Sequence, residues 1–161
     1  MMSLRDLHLA EHPFLTDLTP QQIQDVAGCA VDARFEAGAF IFHAGESATR
    51  FYIITHGAVA LEIFVPGRGA MTIVTLHAGE ALGWSWLFPP YHWHFDARAL
   101  EPTTAIAFDA PCLRAVCDAD HDLGFRLMTR IAHSIAERLQ ATRLQLLDVY
   151  GVHPGPDDYR L

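Results

Sequence analysis

Ten histidines, three cysteines and an aromatic run from Trp84 to Trp93 carry most of the chemical range in this 161-residue chain. His92 and His94 lie two apart, so on a strand their imidazoles share one face, as metal ligands could. A closed zinc site needs four ligands, and no third or fourth stands nearby in the sequence. Cys117 and His121 share a face if helical, but two ligands do not close a site either. Cys112 and Cys117 lack the Cys-x-x-Cys redox spacing. Ser85 lacks the Gly-x-Ser-x-Gly elbow, and no phosphate-cradling GxxxxGK[ST] loop or Ser/His/Asp order is present. Glu62, Asp96 and Glu101 show no pattern that marks an acid/base pair. The chain therefore reads as a non-enzyme with no metal site. Gly79-Glu80, taken alone, fits a turn with a solvated carboxylate as well as it fits a binding position.

These residues sit among elements legible from punctuation and period. Residues 3–30 read as short N-terminal helices; Thr19-Pro20-Gln21-Gln22 carries an N-cap threonine, an early proline and a glutamine three after the cap. Gly28 is expected to end that helix. Residues 31–110 read as short strands at Ala39–His43, Phe51–Thr55, Val59–Val65, Met71–Leu76 and Ala105–Phe108, separated by glycine turns. That pattern predicts a β-sandwich or jelly roll. Residues 122–150 read as one long helix. Met128, Ala132, Ile135, Leu139, Thr142, Leu146 and Val149 alternate four and three apart, a heptad seam that predicts a homodimer coiled coil. Thr142 would weaken or register that pairing. Gly151 stops the helix, and 151–161 reads as a loose tail after a single domain over 1–150.

Composition limits the partners. Nineteen acids face eleven arginines and no lysine, a formal net charge of −8. Arg126, Arg130, Arg138 and Arg143 form the nearest thing to a basic patch, interrupted by Glu137 and Asp148. No nucleic-acid partner is expected from this balance. No apolar run is long enough for a membrane helix and no signal peptide is evident, so no membrane partner is expected. The odd number and uneven spacing of Cys29, Cys112 and Cys117 lead to the expectation of a reduced, cytoplasmic chain.

The order of His12-Pro13-Phe14-Leu15, Phe35-Glu36-Ala37-Gly38, Gly45-Glu46, Phe51-Tyr52-Ile53-Ile54, Gly57-Ala58-Val59, Gly79-Glu80 and Ala97-Arg98-Ala99 resembles the cyclic-nucleotide-binding domain of the catabolite-activator and FNR superfamily. The likeness covers almost the whole chain. It implies a mainly β fold with flanking helices: an eight-stranded jelly roll (double-stranded β-helix), short helices before it, and a long C-terminal helix that usually dimerises. The sequence stops at Leu161, so no helix-turn-helix module is expected after that helix.

In that family a glutamate accepts the ribose 2′-hydroxyl, backbone N–H groups meet the phosphate and an arginine neutralises it. Carried onto this chain, the resemblance places Glu80 at the glutamate and Gly79, Ala81, Leu82 and Gly83 at the turn and its donors. The arginine does not carry over: its position falls on Trp93, and the polar neighbour on His94. Losing one member of a buried charge pair costs ~3–5 kcal/mol. That is roughly a hundredfold to several-thousandfold in affinity. His92, His94 or Arg98 would have to substitute, a histidine only when protonated. Arg98 is otherwise expected to pair with Asp96 or Glu101. The loop holding Trp84, Trp86, Phe88, Tyr91 and Trp93 either fills the pocket or lines it for a flat, uncharged ligand.

Three readings follow. One is a dimeric sensor or adaptor whose possible ligand is cyclic AMP or cyclic GMP, bound weakly or with altered specificity, and whose output passes to an unidentified protein partner. The second is a ligand-blind assembly subunit with a plugged pocket. The third is a working receptor with a substitute cation.

Overall fold

A computed structural model of the chain describes residues 4–151. The tail read over 151–161 lies, apart from Gly151, outside the described residues. Two helices, α1 (Leu4–Glu11) and α2 (Pro20–Ala27), precede the strands β1 (Ala30–Phe35), β2 (Phe40–Phe42), β3 (Arg50–His56), β4 (Ala58–Val65), β5 (Gly69–His77), β6 (Ala81–Leu82), β7 (Asp96–Ala99) and β8 (Thr103–Asp109). A 3-10 turn, Ser85–Leu87, lies between β6 and β7, and α3 (Ala110–Ala119) and α4 (His121–Val149) close the chain.

The strands form two four-stranded antiparallel sheets, β1-β8-β3-β6 and β2-β7-β4-β5, the predicted jelly roll. Successive residues of a strand point to opposite faces. In β7 this sends Ala97 and Ala99 into the core and leaves Asp96 and Arg98 on the outer face. Ile53, Ile54, Val59, Leu76, Leu82 and Phe108 are buried in one hydrophobic core.

The capping box of α2 forms as its sequence requires. Thr19 Oγ1 accepts from the Gln22 N–H (3.2 Å), and Gln22 Oε1 accepts from the Thr19 N–H (3.0 Å). Gly28 is the C-cap. The sequence reading names no strand at β1 or β6 and no helix at α3. β1 leaves Val31, Asp32 and Arg34 exposed and sets charged Asp32 and Arg34 between Val31, Ala33 and Phe35, which weakens its apolar signal; its six-residue ladder with β8 holds it. The start of α3 is a capping signal, Asp109 before Pro111, with Asp109 Oδ2 accepting from the Cys112 N–H at 2.9 Å.

α4 buries Leu123, Gly124, Leu127 and Ile131, and Gly124 lies against Cys117 of α3. Gln22 Nε2 donates to Asp122 Oδ2 (2.8 Å) and ties α2 to the start of α4. Beyond Ile131 the apolar side chains Leu139, Leu146 and Val149 stand exposed.

One expectation is corrected. Cys29 and Cys112 form a disulfide, with Cα atoms 5.6 Å apart, so the chain is not fully reduced. Their sequence separation of 83 residues hid the pairing. It arises because β8 runs beside β1 and delivers the first turn of α3 to the end of α2. Cys117 remains free, and burial, with Asp118 and Asp120 nearby, pushes its thiol up to about 11. A thiol held protonated is a poor nucleophile.

Candidate functional site

The β5–β6 turn and the segment before β7 meet the middle of α4, and the residues singled out by sequence separate there into distinct places. Gly79 takes φ +90° and Gly83 φ +88°, the left-handed backbone that glycine supplies without strain. The Gly79 N–H donates to Ile54 O (2.9 Å) and the Glu80 N–H to His77 O (3.1 Å). Ala81 and Leu82 pair with Ile53 and Tyr52 and bury their side chains. Glu80 is exposed, and its Oε2 accepts from the His77 N–H at 2.7 Å.

Strand-like alternation sends Trp93 inward and leaves His92 and His94 exposed. The Trp93 ring stacks on Phe42, with centroids 3.8 Å apart and planes 7° from parallel. It lies so close over Gly83 that a β-carbon there would meet the ring at 2.4 Å. Backbone bonds fix this placement: the Trp93 N–H donates to Glu46 O (2.9 Å), and its carbonyl accepts from the Gly45 N–H (2.8 Å). The cavity left among Phe42, Leu61, Gly83, Trp84, Trp93 and Arg138 is about 20 Å³, room for about one water molecule.

Arg98 does not join this group. It lies on the outer face of β7 and forms a two-pronged ion pair with Glu62, Nε to Oε1 at 2.7 Å and Nη2 to Oε2 at 3.0 Å. The expected partners Asp96 and Glu101 are corrected to Glu62, the diagonal neighbour of Arg98 on one face of the β4–β7 ladder, where Arg98 pairs with Ala60 and Asp96 with Glu62. That guanidinium holds the Glu62 carboxyl below the usual carboxylate range.

The rest of the aromatic loop is spread over the surface and the core. Trp86 is fully buried and packs on Phe51, centroids 5.3 Å apart. Arg114 of α3 covers the Tyr91 ring at 4.5 Å and donates from Nη1 to Trp86 O at 2.5 Å. Phe88 points outward.

The residue that sequence reasoning missed is Arg138. It comes from α4, donates from Nη2 to Ala81 O, and lies over the Trp84 ring at 4.9 Å. Its Nη1 is buried without a hydrogen-bond partner. Burial holds its pKa down to about 10, against the opposing pull of Glu80 and Glu137. A signal was present: Leu127 and Ile131 are buried on α4, and Arg138 lies seven residues after Ile131 on the same stripe. A charge that continues a core stripe must find a polar target, and here it finds the Ala81 carbonyl in the Gly79–Gly83 segment, the cassette to which the resemblance assigns the phosphate donors.

Arg138 and Glu80 also line a second, larger space. This groove of about 430 Å³ lies between α4, the β5–β6 turn and the α1–α2 loop. Among the described residues no group of three or more His, Cys, Asp or Glu could hold a metal ion.

The seam residues of α4 divide by exposure. Met128 and Ile135 are half-buried against the hydrophobic core, whereas Ala132, Leu139, Thr142, Leu146 and Val149 are exposed. Thr142 bonds its own helix, Oγ1 donating to Arg138 O at 2.9 Å. No described helix is long and apolar enough to cross a membrane.

The family model described as the cyclic nucleotide-binding domain matches residues 33–120. A solved structure from Geobacter metallireducens GS-15, named for cyclic nucleotide binding, is 28% identical, covers 86% of this chain and 99% of that one, and superposes with a TM-score of 0.74. A cyclic nucleotide-binding domain from Methylobacillus flagellatus KT is 15% identical, covers 93% and 86%, and has a TM-score of 0.79. The regulatory subunit of a cAMP-independent protein kinase A from Trypanosoma cruzi, bound to guanosine, is 22% identical over 70% of this chain and 42% of that one, with a TM-score of 0.59. No curated protein sequence matches significantly.

Proposed function

Because the chain belongs to the cyclic nucleotide-binding domain family, we propose that it is a non-catalytic sensor or adaptor module with weak or altered ligand specificity. It dimerises through α4 and passes its state to a protein partner. The observation that carries the reading is the closed cassette: Trp93 stands where the resemblance places the phosphate arginine, and its ring stacks on Phe42 and covers Gly83. A space of about 20 Å³ admits no nucleotide without movement of Trp93 or α4. Ligand entry therefore costs packing as well as the missing charge pair.

A neutral nucleoside is the second ligand class, since a relative described as cAMP-independent is bound to guanosine. It would need no phosphate cation. The exposed Leu139, Leu146 and Val149 support the dimer.

Titration calorimetry with cyclic AMP, cyclic GMP and guanosine at about pH 6 and about pH 8, with Glu80→Ala alongside, tests the reading. Neither cyclic nucleotide is expected to bind at micromolar concentration at either pH. Micromolar binding that disappears in Glu80→Ala would replace this reading with a working cyclic-nucleotide receptor.

A further inference from the structure

Arg138 is the one described residue that joins three features: a partly buried cation, a buried donor atom without a partner, and contact with the Ala81–Trp84 segment from an element outside it. Glu80 and Glu137 act on this partly buried guanidinium through space without bonding it, and such an arrangement is incomplete, because taking charge from water is offset by directly bonded acceptors. Ala81 O fills one donor and the Trp84 face takes part of the charge. Nη1 has neither.

We propose that Arg138 is the anion-binding residue of this domain and that its ligand is a phosphate-bearing nucleotide lying in the α4 groove rather than in the collapsed cassette cavity. The inference rests on the sensor reading above and names that sensor's site.

The groove offers about 430 Å³ against about 20 Å³ in the cavity, and Arg138 lines both. Rotation of the guanidinium off Trp84 presents a planar pair of donors to a phosphoryl group, the geometry that arginine matches best. Glu80, which the family uses for a ribose hydroxyl, lines the same groove. Arg130 is already closed on Asp17 (2.6 Å) and Thr16, and His133 stands 3.2 Å from Glu137, so these neighbours are less free to meet the anion. Binding would exchange the Arg138–Ala81 bond for bonds to phosphate. The cation belongs to α4, so the ligand pulls on the dimer helix directly.

The test is an NMR titration of the full chain with cyclic AMP, 5′-AMP and adenosine into the millimolar range. It follows the Trp84 indole and the α4 amides of wild type, Arg138→Gln and Arg138→Lys. In wild type both phosphate compounds are expected to bind at least about tenfold more tightly than adenosine and to shift the amides around residue 138. Arg138→Gln should erase that preference and Arg138→Lys should keep part of it. If Arg138→Gln fails to fold, the lysine variant and the wild-type preference still decide. Equal binding of adenosine and cyclic AMP, an undiminished preference in Arg138→Gln, or no binding by either phosphate compound would overturn the assignment. None of those results touches the closed cassette or the dimer. Micromolar cyclic AMP binding that depends on Glu80 and ignores Arg138 would instead overturn the sensor reading itself.

Discussion

Where the resemblance implies an arginine this chain has Trp93, whose ring is packed on Phe42 and over Gly83. An arginine there would need an anion; the indole is satisfied by Phe42 and the Gly83 backbone. Truncating such a buried aromatic costs about 3–5 kcal/mol, so Trp93 is part of the core as well as of the pocket. His12 is a second residue whose chemistry follows from its place. Its Nε2 lies 2.9 Å from Ile54 O, and its Nδ1 accepts from the Phe14 N–H at 3.1 Å. Protonating Nδ1 would destroy that acceptor. Burial, opposed by the bond to Ile54 O, lowers the pKa below the ordinary 6.5. The neutral form is thus favoured on folding, and this stabilisation is complete above 6.5 and lost as pH falls through the folded value. The thermal midpoint should drop between about pH 7.5 and about pH 5, and drop less in His12→Gln. Identical pH profiles for the two proteins would remove His12 as the cause.

At the scale of elements, α4 has two faces. Leu123, Leu127 and Ile131 are buried in the core, and Arg138 continues that face to the Ala81 carbonyl. Leu139, Leu146 and Val149 belong to no described residue's core. Exposed apolar residues at heptad spacing gain most by pairing with a second copy of the helix. Leu139→Glu should weaken dimerisation at least about tenfold in sedimentation equilibrium, because two buried carboxylates would face each other in the seam. Its effect on the monomer should stay within roughly 0.5 kcal/mol, as for other exposed positions. A wild-type chain that sediments as a monomer at all accessible concentrations would refute the coiled-coil assignment.

For the molecule as a whole, the Cys29–Cys112 bridge links the entry to the barrel with the exit from it. A cross-link enclosing so long a loop restricts the unfolded chain and contributes about 2–4 kcal/mol. In a protein of this size that corresponds to a fall of roughly 5–15 °C in Tm on reduction. Calorimetry with and without reductant measures it, with Cys29→Ser/Cys112→Ser as the second reading. An unchanged Tm in both would mean that the bridge contributes nothing to stability. The backbone bonds from Asp109 N–H to Cys29 O (2.8 Å) and Ala110 N–H to Thr49 O (2.9 Å) should keep α3 seated after reduction.

The jelly roll, the Thr19 capping box and the long final helix were legible in the sequence, because each rests on local rules: glycine at turns, a cap and its glutamine, apolar period along a helix. The family resemblance implies that Glu80 stands at the family's glutamate and Trp93 at its arginine. Tertiary structure alone decided three further points. Alternation along the segment before β7, anchored by Glu46 and Gly45, turned Trp93 inward and the two histidines outward. The β4–β7 register gave Arg98 to Glu62. The crossing of α4 over the β5–β6 turn brought Arg138 to Ala81, 57 residues away in sequence. Contacts between segments so far apart depend on how the whole chain packs, and no local pattern encodes which cation will meet which carbonyl.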